Sequence, residues 1–304
     1  MAIGILYESG EWSDYALRNN IAAMGVRADL IDTREDVDEE KLLFYRMIIS
    51  RVFASSVFRG HEKALKRMDA AIALLREHNI PMLNHYDAHY YEISKELQAI
   101  TLAGHGFPVP KVYGVYTPAE LFQIANGQEV CYDNSGGLPK QTRIYYPCIV
   151  KPDCGGRTAF TYILTNDEEL RAAAGMMPAL RFIAEEYISP GYGFITRIEV
   201  IGGVCRLAVK RSVTDNGLSA YHLGSAYQIY EDCPNNIKDT ATGVMNLLKI
   251  EMGSLDIIEN DHGFFFIDVN AVSNVSEDNT EMFNFDLMKE TAAYAVEKYR
   301  MLSA

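Results

Sequence analysis

Short apolar runs alternate with stretches of helical spacing in the first 84 residues of the chain. The apolar runs predict buried strands at residues 2–7, 28–31, 47–50 and 81–84. Between them, residues 14–24 and 63–78 repeat apolar positions with the spacing of an amphipathic helix. Because strands that alternate with helices form a parallel sheet with helical crossovers, residues 1–84 are predicted to form a small Rossmann-like domain of the α/β class.

The pattern becomes mixed after residue 84 and strand-rich after residue 180. Residues 85–180 predict a central unit with helices at 93–103 and 167–174, strands at 109–116, 147–152 and 159–164, and a loop at 133–140. Residues 181–304 predict strands at 183–188, 194–201, 205–210, 254–259 and 264–269, and helices at 236–249 and 286–300. A helix on an antiparallel sheet is an α+β arrangement, so the chain is predicted to combine α/β and α+β units.

Composition and charge narrow the class of protein. The chain has 304 residues, a net charge of −13 and five cysteines that form no CxxC pair. An acidic surface argues against a nucleic-acid partner, and the cysteine spacing indicates neither a zinc site nor a disulfide framework. No apolar run approaches the roughly 20 residues that span a bilayer. We therefore expect a cytoplasmic protein with no nucleic-acid or membrane partner.

Three oxygen-bearing side chains mark two late strands. Asp256 lies in SLDIIE, and Asp268 and Asn270 lie in FFFIDVN after a short turn. Residues i and i+2 of a strand point to the same face, and Asp256 can face them from the neighbouring antiparallel strand. Polar groups on so apolar a strand cost free energy unless they are paired or bind a metal. The pattern favours a Mg²⁺ site over a solvated sheet edge.

Lysines and glycines form a second candidate group. Lys151 follows the apolar residues Ile149 and Val150, and Gly155-Gly156 come shortly after it. A lysine beside a glycine turn can hold phosphate oxygens, with backbone N–H groups approaching closely. A surface lysine beside a turn is the alternative. Lys95, early in a predicted helix, is either a second phosphate contact or a solvated helical lysine.

These segments occur in the order typical of one superfamily. The stretch ISK at residues 93–95, GFPVP at 106–110, PCIVKPDCGG at 147–156, FIAEEYI at 182–188 and the two late strands resemble ATP-grasp enzymes. The resemblance covers nearly the whole chain and is strongest to the RimK-like branch, the ribosomal S6 modification proteins. It implies an ATP-grasp fold with an N-terminal Rossmann-like pre-ATP-grasp domain at 1–84, a central subdomain at 85–180 and a C-terminal subdomain at 181–304.

The resemblance also assigns roles to individual residues. Lys95 and Lys151 match the lysines that hold ATP phosphates, and Gly155 and Gly156 fall in the mobile loop that closes over them. The segment that grips adenine is matched by Glu185, Glu186, Tyr187 and Ile188. The ligands of two magnesium ions, with manganese as an alternative, are matched by Asp256, Asp268 and Asn270. Basic positions near the phosphates or the acyl substrate are matched by Arg197 and Arg211, with Lys210 as a nearby alternative.

Several positions depart from the family pattern or remain open. Asp268 stands where most relatives have glutamate. Ser273-Asn274 replaces the common Pro-Gly, so Ser273 and Asn274 are candidate substrate contacts. Arg51 is expected either to bind a substrate carboxylate or to form an interdomain ion pair. His222 is either a substrate contact in a lid or a surface histidine. The segments 153–160 and 214–225 are the candidate lids.

The resemblance implies an ATP-dependent carboxylate–amine ligase. A carboxylate would attack the γ-phosphate of ATP, and an amine would displace phosphate from the acyl phosphate, with Arg211 near the oxyanion. The expected partners are small-molecule carboxylate and amine substrates, and a homodimer is an open alternative to a monomer. The competing interpretations are an ATP-grasp enzyme that uses cyclisation or a hydroxyl nucleophile, and a non-catalytic ATP-sensing module.

Overall fold

The N-terminal segment forms a parallel four-stranded sheet. The computed structural model describes residues 1–36, 38–130, 140–215, 217–220, 224–273 and 275–302. The sheet has the order β2-β1-β3-β4 and consists of β1 (Ala2–Tyr7), β2 (Ala28–Asp32), β3 (Tyr45–Arg51) and β4 (Met82–Leu83). Its crossovers contain α1 (Trp12–Ala23) and α2 (Glu62–Glu77). The predicted α/β arrangement is confirmed. Two short 3₁₀ helices that were not predicted lie at Glu39–Phe44 and Ala54–Phe58.

The central sheet is antiparallel and has the order β5-β8-β6-β7. Its elements are α3 (Ala88–Ile93), α4 (Lys95–Gly104), β5 (Val112–Tyr116), α5 (Pro118–Ala125), β6 (Cys148–Pro152), β7 (Tyr162–Leu164), α6 (Asp167–Ala174) and β8 (Phe182–Glu186). The predicted boundary at 180/181 precedes β8, whereas β8 pairs with β5 and β6. We propose that the C-terminal unit begins between β8 and the next strand. Most of the predicted loop at 133–140 lies outside the described residues.

The C-terminal sheet is antiparallel and has the order β11-β10-β9-β12-β13. Its elements are β9 (Phe194–Ile201), β10 (Val204–Ser212), β11 (Tyr227–Ile229), α7 (Asn235–Leu247), β12 (Met252–Asn260), β13 (Gly263–Asn270), α8 (Glu277–Phe283) and α9 (Leu287–Met301). Helix α7 buries Ile237, Ala241 and Val244 against one face of this sheet. The other face is left for the functional site, and the predicted α+β character is confirmed.

Helices cover both faces of the N-terminal sheet. Leu6 and Ile48 pack in one core with residues of α2. Ile3, Ile5 and Ile49 point to the opposite face, because side chains alternate along a strand, and pack with residues of α1 and α9. The last helix therefore belongs to the core of the first sheet. Within the described residues, no helix has the length and apolar character needed to cross a membrane.

Arg51 at the end of β3 fastens the N-terminal domain to the segment after β13. Its guanidinium donates from Nε to Asp14 Oδ1 at 3.1 Å, from Nη2 to Ser13 Oγ at 2.6 Å and from Nη1 to the Ser273 carbonyl at 3.0 Å. Arg51 and Asp14 are both buried. Because all three guanidinium nitrogens are engaged within the chain, these contacts favour a structural role for Arg51 over a substrate contact. Its ion pair, with Asp14, lies within the N-terminal domain, and its interdomain contact is the hydrogen bond to the Ser273 carbonyl.

We predict that Arg51→Ala lowers the free energy of unfolding by roughly 3–5 kcal/mol, because the substitution leaves Asp14 as a buried, uncompensated carboxylate. Urea unfolding followed by circular dichroism measures the change. The matched control is Arg27→Ala, which removes an ion pair to Asp29 whose arginine side chain is 77% exposed. This control should leave the free energy of unfolding nearly unchanged, because an exposed ion pair contributes little to stability. Equal losses in the two variants would contradict the role assigned to Arg51.

His89 in α3 should make stability fall at mildly acidic pH. Neither ring nitrogen has a hydrogen-bond partner in the described part of the chain, and burial lowers the pKa of His89 from 6.5 to about 4. His89 therefore binds its proton more readily in the unfolded chain between these values, and its contribution to stability is lost as pH falls from 6.5 towards 4. Buried Glu92, whose pKa is raised to about 7, contributes in the opposite direction, so the effect of His89 is read from the difference between variants. His89→Phe should remove up to about 3 kcal/mol of this pH dependence.

The measurement is the free energy of urea unfolding at a series of pH values from 4 to 7. His78→Gln, at an exposed position, is the matched control and should keep the slope of the unsubstituted protein. A His89→Phe variant with that same slope would show that other groups cause the acid sensitivity.

Candidate active site

A single cavity of about 660 Å³ collects most of the candidate residues. Its walls come from the N-terminal domain, the turn after β6, the end of β8, the face of the C-terminal sheet opposite α7, and the segment around α8. The predicted residues that line it are Lys95, Lys151, Gly155, Gly156, Glu185, Glu186, Tyr187, Ile188, Arg197, Arg211, Asp256, Asp268 and Asn270. Residues that are far apart in sequence are thus brought into one space.

The acidic residues sit on paired strands as the sequence predicts. In the β12–β13 register Asp256 lies opposite Asp268, and Asn270 is two positions along on β13. Asp268 Oδ1 is buried and accepts no hydrogen bond from the described residues, although Lys95 Nζ lies 3.4 Å away. A buried carboxylate oxygen without a hydrogen bond is costly, so the site is suited to a cation at Asp268. No cluster of three His, Cys, Asp or Glu side chains is placed to hold a metal in the described part of the chain.

Asp256 is neutralised by two arginines. Arg211 Nη2 lies 2.8 Å from Asp256 Oδ2, and Arg197 Nη1 lies 3.2 Å from Asp256 Oδ1. Burial raises the pKa of Asp256, but the two guanidinium groups outweigh burial and hold this pKa below its usual value. Both oxygens of Asp256 are therefore engaged by arginine. Asp256 could act as a metal ligand only after a change in these contacts.

The two lysines project ammonium groups into the cavity. Lys95 Nζ donates to the Gly155 carbonyl at 2.9 Å. Burial lowers the pKa of Lys95, but the acidic groups around it, Asp268 and Glu92 foremost, together raise this pKa above its usual value. Lys151 Nζ lies 2.9 Å from Glu185 Oε2, on the neighbouring strand β8, and donates to a backbone carbonyl at 2.8 Å. Both ammonium groups are held by acceptors that phosphate oxygens could replace.

The glycine turn, which comprises residues 153–160 and is the first candidate lid, bridges the central sheet and the N-terminal domain. A Cβ on Gly155 would come within 2.6 Å of the Phe58 ring, so only glycine allows this approach. The Phe58 and Phe160 rings lie 5.4 Å apart, and Arg157 forms an ion pair with Glu11. This turn therefore lies across the cavity. Of the second candidate lid, residues 217–220 line the cavity, and residues 216 and 221–223 lie outside the described residues.

The end of β8 forms an apolar slot. Glu185 is buried and Glu186 is exposed. The backbone N–H of Glu186 donates to the Lys111 carbonyl at 2.8 Å, which fixes the course of the chain before Tyr187 and Ile188. Apolar walls of the slot are supplied by Ile149, Ile163, Leu207, Val209, Ile258 and Ile267. A slot of this kind suits a flat, mostly apolar ring system.

The remaining candidates lie elsewhere. Lys210 does not line the cavity: its Nζ lies 3.9 Å from the Tyr230 ring centroid, and alternation along β10 sends it to the face opposite Arg211. Its assignment as a basic group near the phosphates is corrected. Ser273 is buried and donates to Glu199 Oε2 at 2.6 Å, so its hydroxyl is engaged in a hydrogen bond within the protein. His222 and Asn274 lie outside the described residues.

Two buried glutamates in the cavity wall were not predicted from the sequence. Glu199 accepts a hydrogen bond at 2.7 Å from Arg197, two positions earlier on the same face of β9, and this spacing could have revealed it. Glu92 accepts the backbone N–H groups of Ala54 at 3.1 Å and Ala271 at 2.8 Å. Burial raises the pKa of Glu92 to about 7, although these N–H groups oppose the shift. No local sequence signal marks Glu92.

The chain resembles curated ligases over part of its length. No family model matches. The D-alanine–D-alanine ligase of Lacticaseibacillus casei is 30% identical over 153 residues, which cover 45% of this chain and 42% of that protein. The corresponding ligase of Pediococcus pentosaceus is 29% identical over 154 residues, with coverage of 46% and 42%. The chain thus matches less than half the length of these relatives.

Solved structures match over nearly the whole chain. The D-cycloserine synthetase DcsG superposes with a TM-score of 0.69 at 16% identity, covering 98% of this chain and all of that one. A RimK-domain ATP-grasp protein from Sphaerobacter thermophilus gives 0.67 at 15% identity, with coverage of 97% and 99%. The ATP-grasp ligase PsnB gives 0.65 at 16% identity and 99% coverage of both chains. At such low identity these matches show the fold, and this chain therefore has the ATP-grasp fold that the order of its motifs predicted.

Proposed function

We propose that the protein is an ATP-dependent ligase that joins a carboxylate to an amine and releases ADP and phosphate. The observation that carries this proposal is the convergence of two lysines, Asp268 and Asn270 in one cavity beneath a glycine turn. The partial similarity to D-alanine–D-alanine ligases supports the same reaction class. The substrates are proposed to be small-molecule carboxylates and amines.

The cavity of about 660 Å³ would take ATP with its base in the apolar slot. Adenine would lie beside Tyr187 and Ile188, which places the phosphates towards Lys95 and Lys151. Each lysine would exchange a protein acceptor for a phosphate oxygen: Lys95 the Gly155 carbonyl, and Lys151 the Glu185 carboxylate. A related structure, a D-alanine–D-alanine ligase from Bacillus anthracis, was solved with ATP.

Asp268 and Asn270 are the residues that would hold Mg²⁺, or Mn²⁺ as an alternative. Asp268 Oδ1, which accepts no hydrogen bond from the residues that the structure describes, and the oxygen-rich donor set suit a hard divalent cation. Asp256 would join them after release of an arginine, and a second ion is part of the proposal. When bound, the ion neutralises phosphate charge during phosphoryl transfer. PsnB was solved with Mg and ADP.

The residues of the chain would act mainly by charge and position. A substrate carboxylate attacks the γ-phosphate, and an amine then displaces phosphate from the resulting acyl phosphate. Arg211 is buried, and its Nε has no hydrogen-bond partner among the described residues. This N–H is a donor for the oxyanion that forms as the amine attacks. The glycine turn, held across the cavity by Arg157, would exclude water that hydrolyses the acyl phosphate.

We predict that Asp268→Ala lowers substrate-dependent ADP release by at least about 100-fold, because removing one electrostatic contact to the reacting groups costs a factor of roughly 10²–10³. The assay measures the release of ADP and phosphate from Mg-ATP in the presence of pooled amino acids and small acids. Asp239→Ala, an exposed aspartate on α7, is the matched control and should keep full activity. Hydroxylamine should trap the acyl phosphate as a hydroxamate when the amine is omitted.

ATP binding without ADP release in any pool would contradict the ligase proposal and favour the nucleotide-sensing alternative. ADP release that needs a carboxylate but no amine would instead favour cyclisation or a hydroxyl acceptor.

A further inference from the structure

A second apolar surface lines the cavity on the side of the N-terminal domain. Its members, here called the apolar subsite, are Trp12, Val275, Phe283, Phe285 and Leu287. Trp12 begins α1, and the other four belong to the segment that runs from β13 through α8 into α9. Trp12, Val275 and Phe285 pack against the core of the N-terminal sheet. None of the five side chains is charged.

The apolar subsite is separate from the slot proposed for adenine. The slot is built by strands of the central and C-terminal sheets, with Ile149 on β6, Ile163 on β7 and Ile267 on β13. The apolar subsite shares none of these strands, because its members belong to α1 and to the segment from residue 275 into α9. The lining continues from Asn270 through Val272 to Val275. A molecule whose reacting group sits at the phosphates can therefore extend along this segment.

The glycine turn borders the apolar subsite as well as the phosphates. Glu11 is the N-cap of α1 and directly precedes Trp12, and Arg157 of the turn is paired with it. In the same turn, the Gly155 carbonyl accepts a hydrogen bond from the Lys95 ammonium group. One closed turn thus covers both regions, so a molecule in the apolar subsite would be enclosed together with the phosphates.

We propose that the apolar subsite binds the side chain of one substrate, an amino-acid-sized molecule with an apolar side chain about as large as that of leucine or phenylalanine. This inference rests on the proposed ligase function and adds the substrate class. Ser276, Asn279 and Thr280 also line this part of the cavity, but its charged residues, Glu11 and Arg157, are paired with each other. A charged side chain would therefore lose hydration against the apolar walls and would have to compete with an existing ion pair for a partner. Burying an apolar side chain of this size favours binding by roughly 10- to 100-fold over leaving it exposed.

Trp12 is the only tryptophan in the chain, so its fluorescence reports directly on the apolar subsite. With Mg²⁺ and a non-hydrolysable ATP analogue bound, titration with leucine or phenylalanine, each as both stereoisomers, should change Trp12 emission saturably. Aspartate and lysine should produce no saturable change in the same range. Saturation by aspartate or lysine at concentrations where leucine and phenylalanine have no effect would overturn the proposal.

A substitution in the subsite separates its role from that of the nucleotide site. Phe285→Asp should lower kcat/KM for the apolar substrate by about 10- to 100-fold and leave the KM for ATP within about twofold, while Phe285→Leu should retain most activity. Phe122→Asp, at a position 45% exposed on α5, is the control for adding a carboxylate elsewhere and should have no effect. Circular dichroism and thermal melts verify that the variants fold.

The outcomes for the two proposals differ. If no carboxylate and amine pair releases ADP, the ligase function fails. If ADP release is seen but is strongest with acidic or basic side chains, or is unaffected by Phe285→Asp in a folded variant, the ligase function stands and the apolar subsite is refuted.

Discussion

Mutual neutralisation of buried charges organises the centre of this protein. Several ion pairs line one cavity, and these four each join two different elements: Lys151–Glu185 connects β6 to β8, Arg211–Asp256 connects β10 to β12, Arg197–Asp256 connects β9 to β12, and Lys95–Asp268 connects α4 to β13. Removing either partner of such a pair would leave a buried charge uncompensated, which is strongly unfavourable. The pairs within a sheet hold its strands together at the cavity, and Lys95–Asp268 joins the central unit to the C-terminal sheet.

Hydrogen bonds between charged side chains and backbone groups extend this organisation to the N-terminal domain. The Glu92 carboxylate accepts N–H groups from Ala54, beside the first sheet, and from Ala271, just after β13. Arg51 makes a comparable bridge to the Ser273 carbonyl. Both bridges end within three residues of Asn270, so the position of the proposed metal ligands depends on how the N-terminal domain sits. A substrate held between these units can thus affect the geometry of the phosphate end through the backbone itself.

The parts of the structure that follow from local pattern could be predicted from the sequence. The strands 2–7 and 194–201 and the helix 167–174 have the predicted bounds, and the i, i+2 spacing of Asp268 and Asn270 placed both on the cavity face. Lys210 was misplaced because two basic residues are adjacent on β10 and alternation sends only one to the cavity. The sequence does not say which one, since this depends on pairing with β9. Glu92 and Arg51 act through partners at least 37 positions away in sequence, and local pattern carries no information on such contacts.

The packing of α9 on the first sheet bears on how the chain folds as it is synthesised. Arg300 on this helix donates a hydrogen bond to the Met24 carbonyl, 276 positions earlier, and Ile3 and Ile5 lie in the same core as Met288 and Ala292. While the ribosome makes the intervening residues, α1 can cover part of this face of the N-terminal sheet, but the part that α9 covers stays open. Contacts this distant in sequence slow folding and prolong the exposure of aggregation-prone surface. The first domain to emerge is therefore among the last to be completed, and until then it offers chaperones an apolar surface to bind.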